Sequence, residues 1–265
     1  MEEATASQDS KIVFKKKENS TLEHISVFVQ AILVALLIRT FLFQPFVIPS
    51  GSMRPTLLVG DYIFVSKYSY GYSRFSLPYG LPLLHGRIFG HQPNRGDVVV
   101  FSHVDTYDSQ RKDFIKRLIG LPGDRIQVRD GVLYINDKMV SRRKLYAVND
   151  YDVTGHYGPV DCYLETLPNG ISYNTLDLDP QMRGNNTQLF TVPAEHYFMM
   201  GDNRDDSEDS RFSLHYIAKE ELVGRANLIF FSLGKNTSGY QFWRWPSSIR
   251  WNRLFTFVNK LNYNV

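Results

Sequence analysis

The sequence holds one cysteine, Cys162, in 265 residues, so no disulfide can close within the chain and no second thiolate is available for a metal site. Its neighbours Asp161 and Tyr163 offer no activating base, and the thiol reads as structural. Excess charge of one sign is also missing. Lys and Arg number 30 against 27 Asp and Glu, a net +3 with a sequence pI of about 8.8, so bulk charge gives no footprint for nucleic acid. There are no internal repeats and no low-complexity tract. No Gly-x-Ser-x-Gly elbow occurs, and none of the seven histidines (His24, His85, His91, His103, His156, His196, His215) sits in a recognisable triad context. The acid-rich stretch from Asp202 to Asp209 invites a calcium loop, but Arg204 and Ser207 stand where such a loop needs an acid and a glycine.

One long apolar run is present, Ile25 to Phe43. A membrane-crossing helix needs roughly 20 mainly apolar residues at about 1.5 Å each, and this run reaches that length. Gln30 and Arg39 interrupt it, Arg39 near an end where its charge can bend toward headgroups. Lys11, Lys15, Lys16 and Lys17 precede the run, and short basic flanks stay cytoplasmic, which places the remainder of the chain outside the cytoplasm. A cleavable leader is the rival reading. The small-x-small cleavage pattern is absent, because Phe41, Leu42, Phe43 and Phe46 fill the stretch beyond the run. A buried core helix is a poorer fit, since the segment is apolar on all sides.

After the run, short β-branched and aromatic segments alternate with turn signals such as Arg95-Gly96-Asp97, Pro122-Gly123-Asp124, Asp130-Gly131 and Asn136-Asp137. The expected fold is mainly β: an antiparallel, barrel-like core preceded by one N-terminal transmembrane helix. The division expected is a basic tail over 1–20, an anchor over 21–43 and an extracytoplasmic domain over 44–265. That domain has a core of about 44–124 and 196–265, with a β-rich subdomain inserted over about 125–195. Within the insertion, 141–190 alternates weakly and reads as irregular. Residues 239–265 carry Arg244, Arg250, Arg253 and Lys260 among Trp243, Trp245 and Trp251 with no acid, which suits either a lipid-headgroup interface or a solvated tail packed on the core.

Ser52, in Pro49-Ser50-Gly51-Ser52-Met53, follows the run closely and is a candidate nucleophile at the membrane surface. Serine is a weak nucleophile without a base. Lysine can serve if an apolar setting keeps it neutral. In the expected strand Phe114–Ile119, Lys116 shares a face with Phe114 and Leu118 while Arg117 points the other way. Spacing alone leaves open a plain surface strand with a basic pair. The Ser-x-x-Lys pattern of penicillin-binding proteins is excluded, because Pro55 stands three after Ser52.

Four blocks occur in order behind the run: PSGSMRPTL (Pro49–Leu57), RGDVVVF (Arg95–Phe101), KRLIGLPGD (Lys116–Asp124) and GDNRDDSEDSR (Gly201–Arg211). Together they resemble the bacterial type I signal peptidases, or leader peptidases. The resemblance implies a Ser-Lys dyad with Ser52 as nucleophile and Lys116 as general base, and an oxyanion hole from the Ser50 hydroxyl and the Ser52 N–H. Ser207 would orient the lysine, with Asp209 and Arg211 supporting it and Asp202 in the same ion network. An adjacent carboxylate would raise the lysine pKa, so Asp209 should be neutralised by Arg211 or Arg204.

The resemblance further implies shallow apolar pockets near Ile48, Pro49, Met53, Leu57 and Ile115 that admit small side chains. The substrates implied are exported preproteins, held as an extended strand and cut after the signal peptide at the bacterial plasma (inner) membrane, with no cofactor and no metal. Partners would be the lipid bilayer, and contact with export machinery is conceivable; nucleic acid is not expected. Two alternatives remain in view. A self-cleaving repressor-type protein would need a helix-turn-helix, and the anchor is misplaced for it. A catalytically silent extracytoplasmic scaffold would not need both Ser52 and Lys116.

Overall fold

The computed structural model describes residues 20–77, 84–151, 157–178, 183–234 and 245–261. The chain divides into two units, Met1–Leu37 and Ile38–Val265. In the first, α1 (Ser20–Leu37) is built from Leu, Ile, Val and Ala with no proline or glycine to break it. Every side chain from Glu23 to Leu37 is exposed, and Glu23–Leu42 is long and apolar enough to cross a membrane by length and composition. Nothing within the unit covers that apolar surface, which fits a lipid environment better than water.

The second unit is mainly β. Its strands are β1 (Phe43–Val47), β2 (Asp61–Ser66), β3 (Val98–Val104), β4 (Arg111–Gly120), β5 (Arg125–Arg129), β6 (Val132–Ile135), β7 (Lys138–Met139) and β8 (Ser141–Tyr151). They continue as β9 (Tyr157–Thr166), β10 (Ser172–Asp177), β11 (Phe190–Thr191), β12 (His196–Met200), β13 (Ile217–Ala218), β14 (Leu222–Ser232) and β15 (Thr256–Phe257). The main sheet runs β1-β2-β14-β3-β4-β12-β13, with β15 also on β14, and every pairing is antiparallel. β4 sorts its side chains between two cores: Ile115 packs with Ile48, Met53, Leu57 and Ile63, while Phe114 and Leu118 pack with Val99, Phe101 and Tyr197.

Between β4 and β12 the chain builds two further sheets, β11-β5-β6-β7 and β10-β9-β8. The tight turns are where the sequence placed them. Asp130 and Gly131 both take positive φ (47° and 73°) between β5 and β6, as do Asn136 and Asp137 (53° and 62°) between β6 and β7. The irregular reading of 141–190 is corrected: β8, β9 and β10 are paired strands over much of it. In β10 the cause of the weak alternation is burial on both faces. Tyr173, Asn174, Thr175 and Leu176 are successive buried residues of β10, so no polar face remains to give a period of two.

The tail is partly docked. Arg253 pairs with buried Asp61 at 2.5 Å and donates to the Thr56 carbonyl at 2.9 Å, while Arg250 reaches Asp61 at 3.3 Å. Trp251, Phe255 and Phe257 stay exposed. Trp243 and Arg244 lie outside the described residues.

Candidate active site

Ser52 sits in the loop between β1 and β2, and the base of that loop is closed by backbone bonds from Ile48 N–H to the Asp61 carbonyl (2.8 Å) and from Gly60 N–H to the Ile48 carbonyl (3.0 Å). Met53 and Leu57 are wholly buried and pin its middle, and Asp61 accepts from the Leu58 N–H at 2.8 Å. The Ser52 carbonyl accepts the Asn203 N–H at 3.1 Å, and the Asn203 side chain donates to the Gly51 carbonyl at 3.2 Å. Gly201 passes against the same backbone. These contacts fix the serine relative to the segment 201–211.

Lys116 Nζ lies 2.6 Å from Ser52 Oγ, although 64 positions separate the two residues. Lys116 is 5% exposed and Ser52 7%. Burial pulls the Lys116 pKa down to about 8; the charges of Asp209, Asp206 and Asp202 oppose that pull and Arg211 adds to it. An amine in that state is neutral for a large fraction of the time near pH 8, and it can then accept a proton from the hydroxyl it touches. The Ser50 hydroxyl lies 3.4 Å from Ser52 Oγ.

The support expected around the lysine is rearranged in several respects. Arg211 holds Asp209 through Nε (3.0 Å) and Nη2 (2.9 Å), and Asp209 also accepts the Gly201 N–H at 3.0 Å. Burial pushes the Asp209 carboxyl up, but the charge and hydrogen bonds of Arg211 win and hold it below the usual carboxylate range. Arg204 takes no part in that pair. Its guanidinium forks onto Glu165 and meets the Tyr173 hydroxyl at 3.2 Å. Asp202 also belongs elsewhere, in a bidentate pair with Arg117 (2.7 and 2.6 Å) that Thr56 completes at 2.6 Å. The single ion network expected is therefore three separate pairs. Ser207 stands at the same cleft as Lys116, yet its buried Oγ has no hydrogen-bond partner, so it does not orient the amine through a direct bond here.

The expected pocket residues separate as well. Ile48, Met53 and Leu57 are 2%, 0% and 0% exposed and belong to the packed core; Ile115 is half-buried against them and Pro49 is exposed. Beside Ser52 and Lys116 a cleft of about 440 Å³ is lined by Ser50, Phe114, Gly184, Arg204, Ser207 and Phe212, with Asp205, Asp206 and Glu208 on it too. Phe114 was legible as a strand residue next to Lys116. Gly184 and Phe212 carry no local signal, because only the tertiary fold brings them there. Arg54, Asn203, Glu165 and Thr56 are further polar groups at the site that sequence reasoning did not single out. Among the described residues no group of three or more His, Cys, Asp or Glu side chains is arranged to hold a metal ion.

Comparison with known proteins bears on this constellation. The family model "Signal peptidase, peptidase S26" matches residues 21–231, a span that includes Ser52, Lys116 and the 201–211 segment. The chain belongs to the signal peptidase family. Among curated relatives, a signal peptidase I of Rickettsia akari is 42% identical over 84% of this chain and 88% of its own length. That of Rickettsia typhi is 40% identical over 94% of this chain and 97% of its own. A solved signal peptidase I from Enterococcus faecalis V583 is 26% identical, covering 51% of this chain and 97% of that one with a TM-score of 0.29. As a member of this family the chain is a serine endopeptidase of the signal peptidase I type.

Proposed function

We propose that this signal peptidase works as a membrane-anchored Ser-Lys enzyme that cuts signal peptides from exported preproteins. The observation that carries the reading is the 2.6 Å approach of Lys116 Nζ to Ser52 Oγ with both side chains buried. In the reactive state the neutral Lys116 amine accepts the Ser52 proton as Oγ attacks the scissile carbonyl. The oxyanion that forms is met by the Ser52 N–H and the Ser50 hydroxyl, donors whose removal typically costs about 100 to 1,000-fold in rate. The Lys116 ammonium then protonates the leaving amine, giving an acyl-serine. Lys116, neutral again, takes a proton from the water that attacks that ester and gives it to Ser52 Oγ as the acyl–oxygen bond breaks, which restores the free serine and the neutral amine.

The substrate lies extended along the cleft, where Phe114 and Phe212 limit side-chain volume before the scissile bond and favour small residues. The helix around Glu23–Leu42 is the anchor, with its lysine-rich N-terminal flank cytoplasmic and residues 44–265 outside. Residues 44–124 and 196–265 act as the catalytic core and 125–195 as an inserted subdomain. Holding enzyme and preprotein on one bilayer raises the effective concentration of each for the other.

The test is cleavage of a preprotein in detergent by the full-length protein and by Ser52→Ala and Lys116→Ala. Loss of cleavage in both variants, each still folded, is the expected result. Near-normal activity in either one refutes the dyad. A serine-directed acylating inhibitor should add its mass to Ser52 in the unaltered chain alone.

A further inference from the structure

Three carboxylates bear on Lys116, and each is answered by an arginine. Asp209 is held by Arg211, and Asp202 by Arg117. The third, Asp206, lies on the cleft with its side chain 55% exposed, and its partner at 3.3 Å is Arg54. Arg54 stands two residues after Ser52 and is only 8% exposed. Its guanidinium is used on all sides: Nη1 donates to Asp150 near the end of β8, Nη2 to Asp206, and Nε to the Gly51 carbonyl at 3.3 Å. It packs so closely on the turn that a Cβ at Gly51 would meet Nε at 2.7 Å.

We propose that Arg54 is a positioning residue for the nucleophile, clamping the Gly51–Ser52 turn to the end of β8 and to Asp206 on the cleft. The inference rests on the Ser-Lys reading above and deepens it. Three segments far apart in sequence, 51–54, 150 and 206, meet at one planar fork, and only arginine presents donors in that fixed geometry. The Gly51 carbonyl is also held by Asn203, so Arg54 and Asn203 fix the peptide just before the nucleophile from two sides. A turn released from one of them can tilt Ser52 Oγ away from its approach to substrate. Misplacement on the order of 1 Å is enough to cost up to about a hundredfold in rate.

The clamp has an electrostatic consequence that separates it from a merely structural bond. The charged groups bearing on Lys116 are Asp209, Asp206, Arg211 and Asp202, with Arg117 paired to Asp202 and Arg54 to Asp206. Removing the Arg54 charge leaves Asp206 unanswered and favours the ammonium form of Lys116. Cleavage should then need a higher pH. The 55% exposure of Asp206 means that solvent screens much of this effect, so the shift should shrink further as salt is raised.

The experiment compares the full-length protein in detergent with Arg54→Gln, Arg54→Lys, Asp150→Asn and Arg54→Gln/Asp206→Asn, measuring kcat, KM, the pH profile and melting temperature. Arg54→Gln should lower kcat about tenfold with KM changed less than about twofold, and should move the acid limb of the profile to higher pH. Adding Asp206→Asn should return the limb without restoring kcat. Arg54→Lys should leave the limb in place and recover kcat in part, having charge but no fork. Asp150→Asn should lower kcat and leave the limb unmoved, and it serves as the readout if Arg54→Gln does not fold. The proposal is overturned if Arg54→Gln and Asp150→Asn match the parent in kcat, or if their losses follow melting temperature alone with the limb fixed. A parent protein that fails to cut preprotein counts against the functional reading instead.

Discussion

Gly201 passes so close to Ser52 that a Cβ built on it would lie 2.6 Å from the Ser52 carbonyl oxygen, and 2.3 Å from Ser207 Oγ. Rotating the hydroxyl would not relieve the contact, because Ser207 Cβ itself would lie at 2.5 Å, and the carbonyl belongs to the backbone that carries Ser52. Gly201→Ala should therefore push the 51–53 turn and the 201–211 segment apart. Overpacking of this kind typically costs about 1–3 kcal/mol of stability. The larger effect should be on turnover, a fall of up to about a hundredfold in kcat/KM from the displaced Ser52. Calorimetry and preprotein cleavage on one preparation check both, and wild-type turnover in the alanine variant would show that the approach is not needed.

That contact also marks how far the sequence was legible. Gly201 and Asp202 fall within a block, and Ser52 and Lys116 are named through the resemblance that four ordered blocks carry, since spacing alone leaves Lys116 on a plain surface strand. Turns were legible locally: Asp130-Gly131 and Asn136-Asp137 need positive φ, and those residue types supply it cheaply. What failed to show was whatever depends on partners distant in the chain. The sequence offers Arg211 or Arg204 as the partner of Asp209; Arg211 takes that place, while the Arg204 side chain lies against Glu165 and Tyr173 of the inserted strands, which nothing near Arg204 in sequence could reveal. Burial likewise hid β10, since a strand covered on both faces has no polar stripe. The pairing of Arg253 with Asp61 spans 192 positions and makes part of the tail a brace under the loop that carries Ser52.

The pair of Asp209 and Arg211 gives a second prediction. Both side chains are buried, at 0% and 1% exposure, so Asp209→Asn leaves the Arg211 charge without its counter-ion in a dry site. Breaking one partner of such a pair typically costs about 3–5 kcal/mol. The sign at the lysine is opposite to that expected for Arg54→Gln. Asp209 raises the Lys116 pKa and Arg211 lowers it, so losing the carboxylate lets the arginine act alone. In protein that stays folded, at low temperature, the acid limb of cleavage should move to lower pH. A limb that stays put, with the expected loss of melting temperature, would mean that the pair serves the fold and leaves the base untouched.

The pH dependence of the parent enzyme follows from the same lysine. Burial lowers the Lys116 pKa from 10.5 to about 8, and in the mechanism proposed above the neutral amine acts as the base. Cleavage should therefore rise with pH through about 8 and level off above it. Stability should move in the same direction over an overlapping window. Between about 8 and 10.5 the unfolded chain holds the lysine proton and the native state does not, so unfolding takes up a proton and native stability grows as pH rises. Lys67 supplies the control. It is 1% exposed, donates to the Ser76 carbonyl, and has a pKa lowered to about 8, by burial first and by the Arg39 charge second, while Asp113 opposes. Lys67→Met should flatten the rise of stability with pH and leave the acid limb of cleavage where it was. If the limb instead followed Lys67, or if cleavage proved flat from pH 6 to about 10, Lys116 would not be the group whose proton gates the reaction.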